Sequence, residues 1–190
     1  MARPRSEDKR NAILAAAIAV MAEHGLAAST AAIARQAGVA EGTLFTYFSS
    51  KDILLNDLYL TLKSQLGEMM MASFPAAASI RARAAHVWDK YVSWGVAHPQ
   101  QRKVLSQLGL SERVSEHSKT VAMQAFAAVN VMMEESLAQH VLREQPPPFI
   151  GAIMVALADI SIDFIGQFPQ QADSYKALGF DAFWNAVVRH

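Results

Sequence analysis

Residues 38–48 read GVAEGTLFTYF. Gly38 and Gly42 punctuate the stretch four residues apart, yet apolar residues run through both. Glycine enters the left-handed region without steric penalty, so Gly38 is a natural helix stop. Upstream, Ser29 or Thr30 can cap a short helix over 31–37 by accepting a free backbone N–H. Downstream, 41–48 form a third helix before Ser49 and Ser50 break the pattern. A longer helix over 7–24 precedes both; Leu14, Ile18 and Met21 follow each other at helical spacing, and Gly25 ends it. Two short helices joined by a tight glycine turn behind a longer helix make a helix-turn-helix.

The spacing assigns roles within that motif. Ala34 is small where the second helix passes close to the third, and Val39 drops into the core just after the turn. Ile33, Ala37, Leu44 and Phe48 close a small apolar centre. The third helix then keeps an outer face of Glu41, Gly42, Thr43, Phe45, Thr46 and Tyr47. In such motifs this face enters the DNA major groove, with base contacts from its N-terminal part. Thr43 and Thr46 suit phosphates or bases, and the Tyr47 hydroxyl suits a phosphate. Lys51 opens the next helix, where an ammonium joins free backbone N–H groups; Thr30 has a similar place at the second helix. Helix–glycine–helix patterns also serve packing alone, and spacing by itself leaves both readings open.

Residues 9–25, KRNAILAAAIAVMAEHG, followed by 29–55, STAAIARQAGVAEGTLFTYFSSKDILL, resemble the DNA-binding domain of the tetracycline-repressor (TetR) family of bacterial transcriptional regulators. The runs IARQAGV, GTLFTYF and SKDILL at this spacing carry the resemblance, which covers about a quarter of the chain by motif. It implies an all-α protein: a three-helix helix-turn-helix domain over 1–51 and a helical effector-binding and dimerisation domain over 52–190. It implies a cytoplasmic homodimer that sets one recognition helix per subunit into successive major grooves of a palindromic double-stranded operator. A small-molecule effector, expected to be largely apolar, would release it, and the commonest outcome is repression. Carried over by motif position, the DNA-facing residues are Thr30, Ala31, Ala40, Glu41, Gly42, Thr43, Phe45, Thr46, Tyr47 and Lys51. Two positions depart from the family pattern. Position 45 is commonly Tyr there, so Phe45 lacks one hydroxyl donor. Position 41 is often basic or neutral, and Glu41 is repelled by phosphates, although its carboxylate can accept from a cytosine amine.

Composition narrows the alternatives. The 190 residues are 52% hydrophobic and carry no formal net charge. There is no cysteine, which removes disulfides, thiolate metal sites and cysteine nucleophiles. Residues 1–51 hold six Lys/Arg against four acids, leaving a small positive excess on the segment with the motif. The tail carries Arg3, Arg5, Lys9 and Arg10 and has no apolar signal-peptide core; it is either an arm for the minor groove or a solubilising tail. No His follows a Glu by three residues, and no His-Glu-x-x-His, phosphate loop or Gly-x-Ser-x-Gly occurs. An enzyme is therefore not expected, nor a metal or cofactor. A pure interaction module is the other rival.

Beyond the motif, further helices are expected over 51–73, 77–97, 100–108, 112–143, 149–168 and 173–189, with prolines between several of them. Trp88, Tyr91 and Trp94 share a broad helix face at spacings of three. Met123, Phe126 and Asn130 follow at spacings of three and four. Together these six are the candidate effector pocket, an apolar surface with a few polar groups, although each taken singly reads as ordinary core. The run FIGAIMVALADISIDFIGQF, 149–168, is long enough to span a bilayer. Asp159 and Asp163 near its middle would each cost roughly 2.5–3.5 kcal/mol there. It is read instead as a buried or subunit-interface helix, with no membrane contact. The two aspartates share a face and either meet a cationic ligand, pair with a basic side chain across an interface, or stay solvated.

Overall fold

In the computed structural model, which describes residues 6–189, the chain is built from ten α-helices and two short 3-10 turns. The described residues form no strand beyond one isolated bridge, Leu142 with Val188. The chain divides into two compact units. The first is the chain up to Ser64 together with Pro99–Met123; the second is Gln65–His98 with Gln124–His190. Compactness thus cuts the chain elsewhere than the functional boundary expected at 51/52. The reason is α4 (Lys51–Met71), a continuous helix whose first turns pack in one unit and last turns in the other.

In the first unit, α1 (Glu7–His24), α2 (Thr30–Gln36) and α3 (Glu41–Tyr47) precede α4. Gly25 and Gly38 take φ values of +76° and +67°, as their placement after helix ends requires. At Gly38 the chain closes a double-bonded C-terminal turn: the Gly38 N–H donates to the Arg35 carbonyl, and the Val39 N–H to that of Ala34. Ser29 accepts from the Ala32 N–H at 3.1 Å and so starts α2. The apolar centre expected from spacing forms: Ile33, Ala34, Leu44 and Phe48 are buried, and Ala37 and Val39 half-buried. α6 (Pro99–Gly109) packs on α1, and α7 (Glu116–Met123) follows. A polar clasp holds the α6–α7 loop to α4. Asn56 donates to the Arg113 carbonyl at 2.9 Å and accepts from the Ser115 N–H at 2.9 Å, while Arg113 pairs with Asp52 at 2.6 Å.

The second unit holds the end of α4 with α5 (Ile80–Ala97), α8 (Ala127–Ala138), α9 (Pro147–Gln167) and α10 (Ala172–Val187). Two expected helices change. The helix expected from 77 begins at Ile80, because Ser79 caps it by accepting from the Ala82 N–H. The single helix expected over 112–143 is α7, a 3-10 turn at Gln124–Phe126, and α8. Packing explains that turn: it brings Ala125 so close to Gly67 that a Cβ at 67 would lie 2.6 Å from the Ala125 Cβ. Past α8, His140 takes a positive φ of 54° and residues 141–143 bond to 187–189, closing the C-terminal end.

Trp88 is the centre of the second core. It stacks on Phe183 with ring centroids 5.9 Å apart, and its indole N–H donates to the Lys176 carbonyl at 2.9 Å. Gly179 lets α10 approach, since a Cβ there would meet Ser161 Oγ and lie 2.7 Å from the Trp88 ring. Arg83, buried on α5, pairs with Glu135 of α8 at 2.6 Å. α9 is long and apolar enough to cross a membrane, yet only 28% of its most apolar window is buried within the chain. Phe149, Ile160, Phe164 and Phe168 on or beside it stay exposed, as does Leu178 of α10, at 62%.

Candidate nucleic-acid interface

The site follows from how α3 is held. Leu44 and Phe48 turn inward and are nearly inaccessible. Helical geometry then forces the intervening residues outward. Glu41, Gly42, Phe45 and Thr46 are exposed, with Thr43 and Tyr47 half-buried. Ala40, which starts the helix without a side-chain cap, is exposed, as is Ala31 at the first turn of α2. The expected DNA-facing set therefore lies on the outer surface of the two short helices and their joints, accessible to a partner.

Five of its polar groups have partners within the chain. The Thr30 hydroxyl donates to Glu41 Oε1 at 2.6 Å, bridging the start of α2 to the start of α3. The Thr46 hydroxyl donates back to the Gly42 carbonyl at 3.0 Å. The Tyr47 hydroxyl accepts from the Ser6 N–H at 3.0 Å, so its own proton remains to be donated elsewhere. The Lys51 ammonium donates to the Ala28 carbonyl at 2.6 Å. Burial, reinforced by the nearby Arg113 charge, holds Lys51 below the ordinary lysine range. Lys51 thus braces the segment before α2, a role its position in the sequence did not reveal. Of the N-terminal tail, Arg10 is fixed to Asp57 of α4, with one guanidinium nitrogen 2.6 Å from both carboxylate oxygens. Arg3 and Arg5 lie outside the described residues.

The six residues expected at an effector pocket are placed differently from one another. Trp88, Tyr91 and Trp94 are buried on α5, and the Tyr91 hydroxyl donates to Asp159 of α9 at 3.3 Å. Asp159 therefore meets a tyrosine, a partner not among those expected. Phe126 is buried as well, in the 3-10 turn. Met123 is 47% exposed and Asn130 is exposed. A groove of about 620 Å³ lies elsewhere, in the first unit, lined by Glu23 and His24 of α1, Arg35 and Gln36 of α2, and Gln100 and Lys103 of α6 among others. None of the six lines it. Its walls meet across more than 60 residues of chain, which no local pattern reveals.

Residues 13–58 match the family model of bacterial regulatory proteins of the tetR family. The whole fold is similar to a solved structure from Shewanella sp. PV-4 assigned to tetR-family transcription regulators, with a TM-score of 0.85 and 26% identity, covering 98% of this chain and 100% of that one. Residues 13–58 thus form a tetR-family domain, set in a fold shared with a solved structure assigned to that family. Among curated relatives, a fatty acid metabolism regulator protein of Bacillus subtilis is 34% identical over 101 residues, 53% of this chain. That match spans about half of the relative's length, 52%. The solved transcriptional regulator FadR from Bacillus subtilis, in complex with stearoyl-CoA, shares the fold with a TM-score of 0.66 at 20% identity, covering 93% of this chain and 96% of that one. These relatives are transcription regulators, not enzymes.

Proposed function

We propose that this TetR-family regulator is a cytoplasmic homodimeric repressor that binds a palindromic operator through α3 and is released by a small, largely apolar effector. The observation that carries the DNA-binding part is the division of α3. Its apolar residues are spent on the core, and Ala40, Glu41, Gly42, Thr43, Phe45, Thr46 and Tyr47 are left as an outer face. With one α3 per subunit about 34–36 Å apart, that face would read two half-sites one helical turn apart. Thr30, Ala31 and Lys51 would flank it on the backbone side, with Lys51 leaving the Ala28 carbonyl when a phosphate takes its place.

Exposed apolar side chains on α9 and α10 support the dimer. A clustered apolar surface marks an interaction site, and a two-fold axis through one patch buries both copies. Phe164, Phe168 and Tyr175 already cluster there, with ring centroids 5.3–6.3 Å apart. For the effector, the similarity to a fatty acid metabolism regulator makes a long acyl chain the apolar group to try first, supplied as an acyl-CoA whose coenzyme A part is polar and anionic. Trp88, Tyr91, Trp94, Met123, Phe126 and Asn130 are the residues proposed to line its site after the chain adjusts to it. Effector binding would favour a dimer with another α3 separation. A coupling of about 1–3 kcal/mol would weaken operator binding 5–150-fold.

The test is selection of bound sequences from random duplex DNA, followed by binding of the winner at several salt concentrations. A short palindrome and a steep salt slope are expected. Absence of any enriched sequence would leave α3 as a packing element. Adding a panel of acyl-CoA chain lengths to the operator complex then tests release. In the same preparation, Ile160→Glu should convert the dimer to monomer on sedimentation and abolish tight operator binding.

A further inference from the structure

We propose that Thr30 and Glu41 form one reading unit, in which Thr30 holds the Glu41 carboxylate as an acceptor for a cytosine amine in the major groove. The inference rests on the DNA-binding reading above and deepens it.

The Thr30 hydroxyl donates to Glu41 Oε1 at 2.6 Å, a bond joining two helices eleven residues apart in sequence. Glu41 occupies the first turn of α3 and is exposed, at the end of the helix from which base contacts are made. A free glutamate has three rotatable torsions and samples many positions. Here one oxygen accepts from Thr30, which narrows the positions the carboxylate samples and leaves Oε2 and the second lone pair of Oε1 available. Ala40 beside Glu41 and Ala31 beside Thr30 are small and exposed.

A carboxylate has no proton to give, so it selects for donors. In the major groove only two groups donate, the N4 amine of cytosine and the N6 amine of adenine. Guanine offers O6 and N7, and thymine offers O4 and a methyl group, all of which a carboxylate avoids. Between the two amines, adenine carries the N7 acceptor beside N6, which repels the second oxygen. Cytosine has no acceptor on that edge. A tethered Glu41 therefore favours cytosine. The same charge is repelled by every phosphate regardless of sequence, so Glu41 raises discrimination while lowering overall affinity. Thr30 is a positioning residue in this scheme: its hydroxyl proton is committed to Glu41.

Sequence selection with the intact protein tests this. Wild type should enrich cytosine at one position of each half-site, by roughly 5–150-fold over the other bases. Glu41→Ala should bind non-specific DNA more tightly and lose the preference at that position alone. Glu41→Gln should move the preference to adenine, which an amide can meet at N6 and N7 together. Thr30→Val should broaden the preference at the same position, and Thr30→Ser should restore it; a purely structural Thr30 would alter affinity for all sequences equally. Melting temperatures of the four variants confirm that each folds. A wild-type motif without that cytosine, a Glu41→Ala variant selecting the unchanged motif, or a Thr30→Val variant with full preference would each overturn the proposal while leaving sequence-specific binding in place. No enriched motif for wild type would instead remove the DNA-binding reading, and the reading unit with it.

Discussion

Two glycines four residues apart should respond to the same substitution with opposite signs. Gly38 sits at φ +67°, with no heavy atom within 4 Å of where a Cβ would stand. Alanine there meets no clash with neighbours, so its entire cost is backbone strain, about 1–2 kcal/mol for an L-residue held in the left-handed region. Gly42 lies inside α3 with ordinary helical torsions and equally open surroundings. Alanine there removes unfolded-state freedom and should stabilise by roughly 0.5–1 kcal/mol. For a chain of this size, 1 kcal/mol shifts the melting temperature by about 2–4 °C. Gly38→Ala should therefore melt about 2–8 °C below wild type and Gly42→Ala about 1–4 °C above it, followed by circular dichroism. Gly38→Asn should recover part of the loss, because asparagine tolerates this region better than alanine. The operator assay separates the two effects: Gly42→Ala, the more stable protein, places a methyl on the DNA-facing surface and should bind its operator more weakly. A Gly38→Ala variant as stable as wild type would show that the turn does not hold the left-handed conformation, and the two-bond closure after α2 would fall with it.

Three other substitutions probe separate parts of the molecule. Gly179→Ala inserts a methyl against Ser161 and the Trp88 ring and should destabilise by about 1–3 kcal/mol in urea denaturation; adding Ser161→Ala should recover part of that, whereas an unchanged midpoint would mean that α10 does not press on Trp88. Phe45→Tyr supplies a hydroxyl on an exposed ring and, at roughly 0.5–1.5 kcal/mol for a new hydrogen bond, should tighten operator binding about 2–12-fold without altering the selected sequence; equal affinity would place that ring away from phosphates. Burial holds the Lys63 ammonium below the ordinary lysine pKa of 10.5. The folded state then loses this proton first as pH rises, so the burial penalty is fully present at pH 7 and relieved toward pH 10.5. Lys63→Met should accordingly exceed wild type in stability at pH 7 and show a shrinking advantage as pH rises toward 10.5, as measured by denaturation across that range; a constant difference would assign it to packing alone.

The helix-turn-helix was legible because every step of it is local. Gly38, the cap at Ser29 and the inward set of Ile33, Leu44 and Phe48 lie within twenty residues, where helical period and glycine torsions decide the outcome. The break after Met123 was not legible. No proline or glycine marks it, and the residues 124–126 are acceptable helix formers; the turn exists because Ala125 packs on Gly67, more than fifty residues away. The start of α5 lies three residues later than the expected 77 for a smaller reason: the Ser79 side chain caps it, a bond the apolar pattern does not mark. Lys51 shows the limit for charged groups: sequence places it at a helix start, but only the fold reveals the Ala28 carbonyl that holds its ammonium.

The aromatic residues of α5 explain why an effector site resists reading from sequence. Trp88, Tyr91 and Trp94 have the spacing of a shared face, and that spacing is common to a packed core and to a cavity wall. What separates the two is whether the polar atom and the ring are already satisfied. Trp88 has its indole N–H on the Lys176 carbonyl and its ring against Phe183. A ligand displacing it would have to replace both contacts. Tyr91 is different in kind, for its hydroxyl reaches Asp159 at 3.3 Å, a long bond for an O–H donor. A ligand hydroxyl or amide inserted between them could bond to both. Of the α5 aromatics, Tyr91 is therefore the position at which Phe should alter effector response most while leaving stability nearly unchanged. Trp88→Phe should do the reverse, lowering stability by removing ring volume from the buried stack on Phe183 together with the indole bond to the Lys176 carbonyl. Effector-dependent release and urea denaturation measured on the two variants decide it, and equal losses of both properties in both variants would refute the distinction.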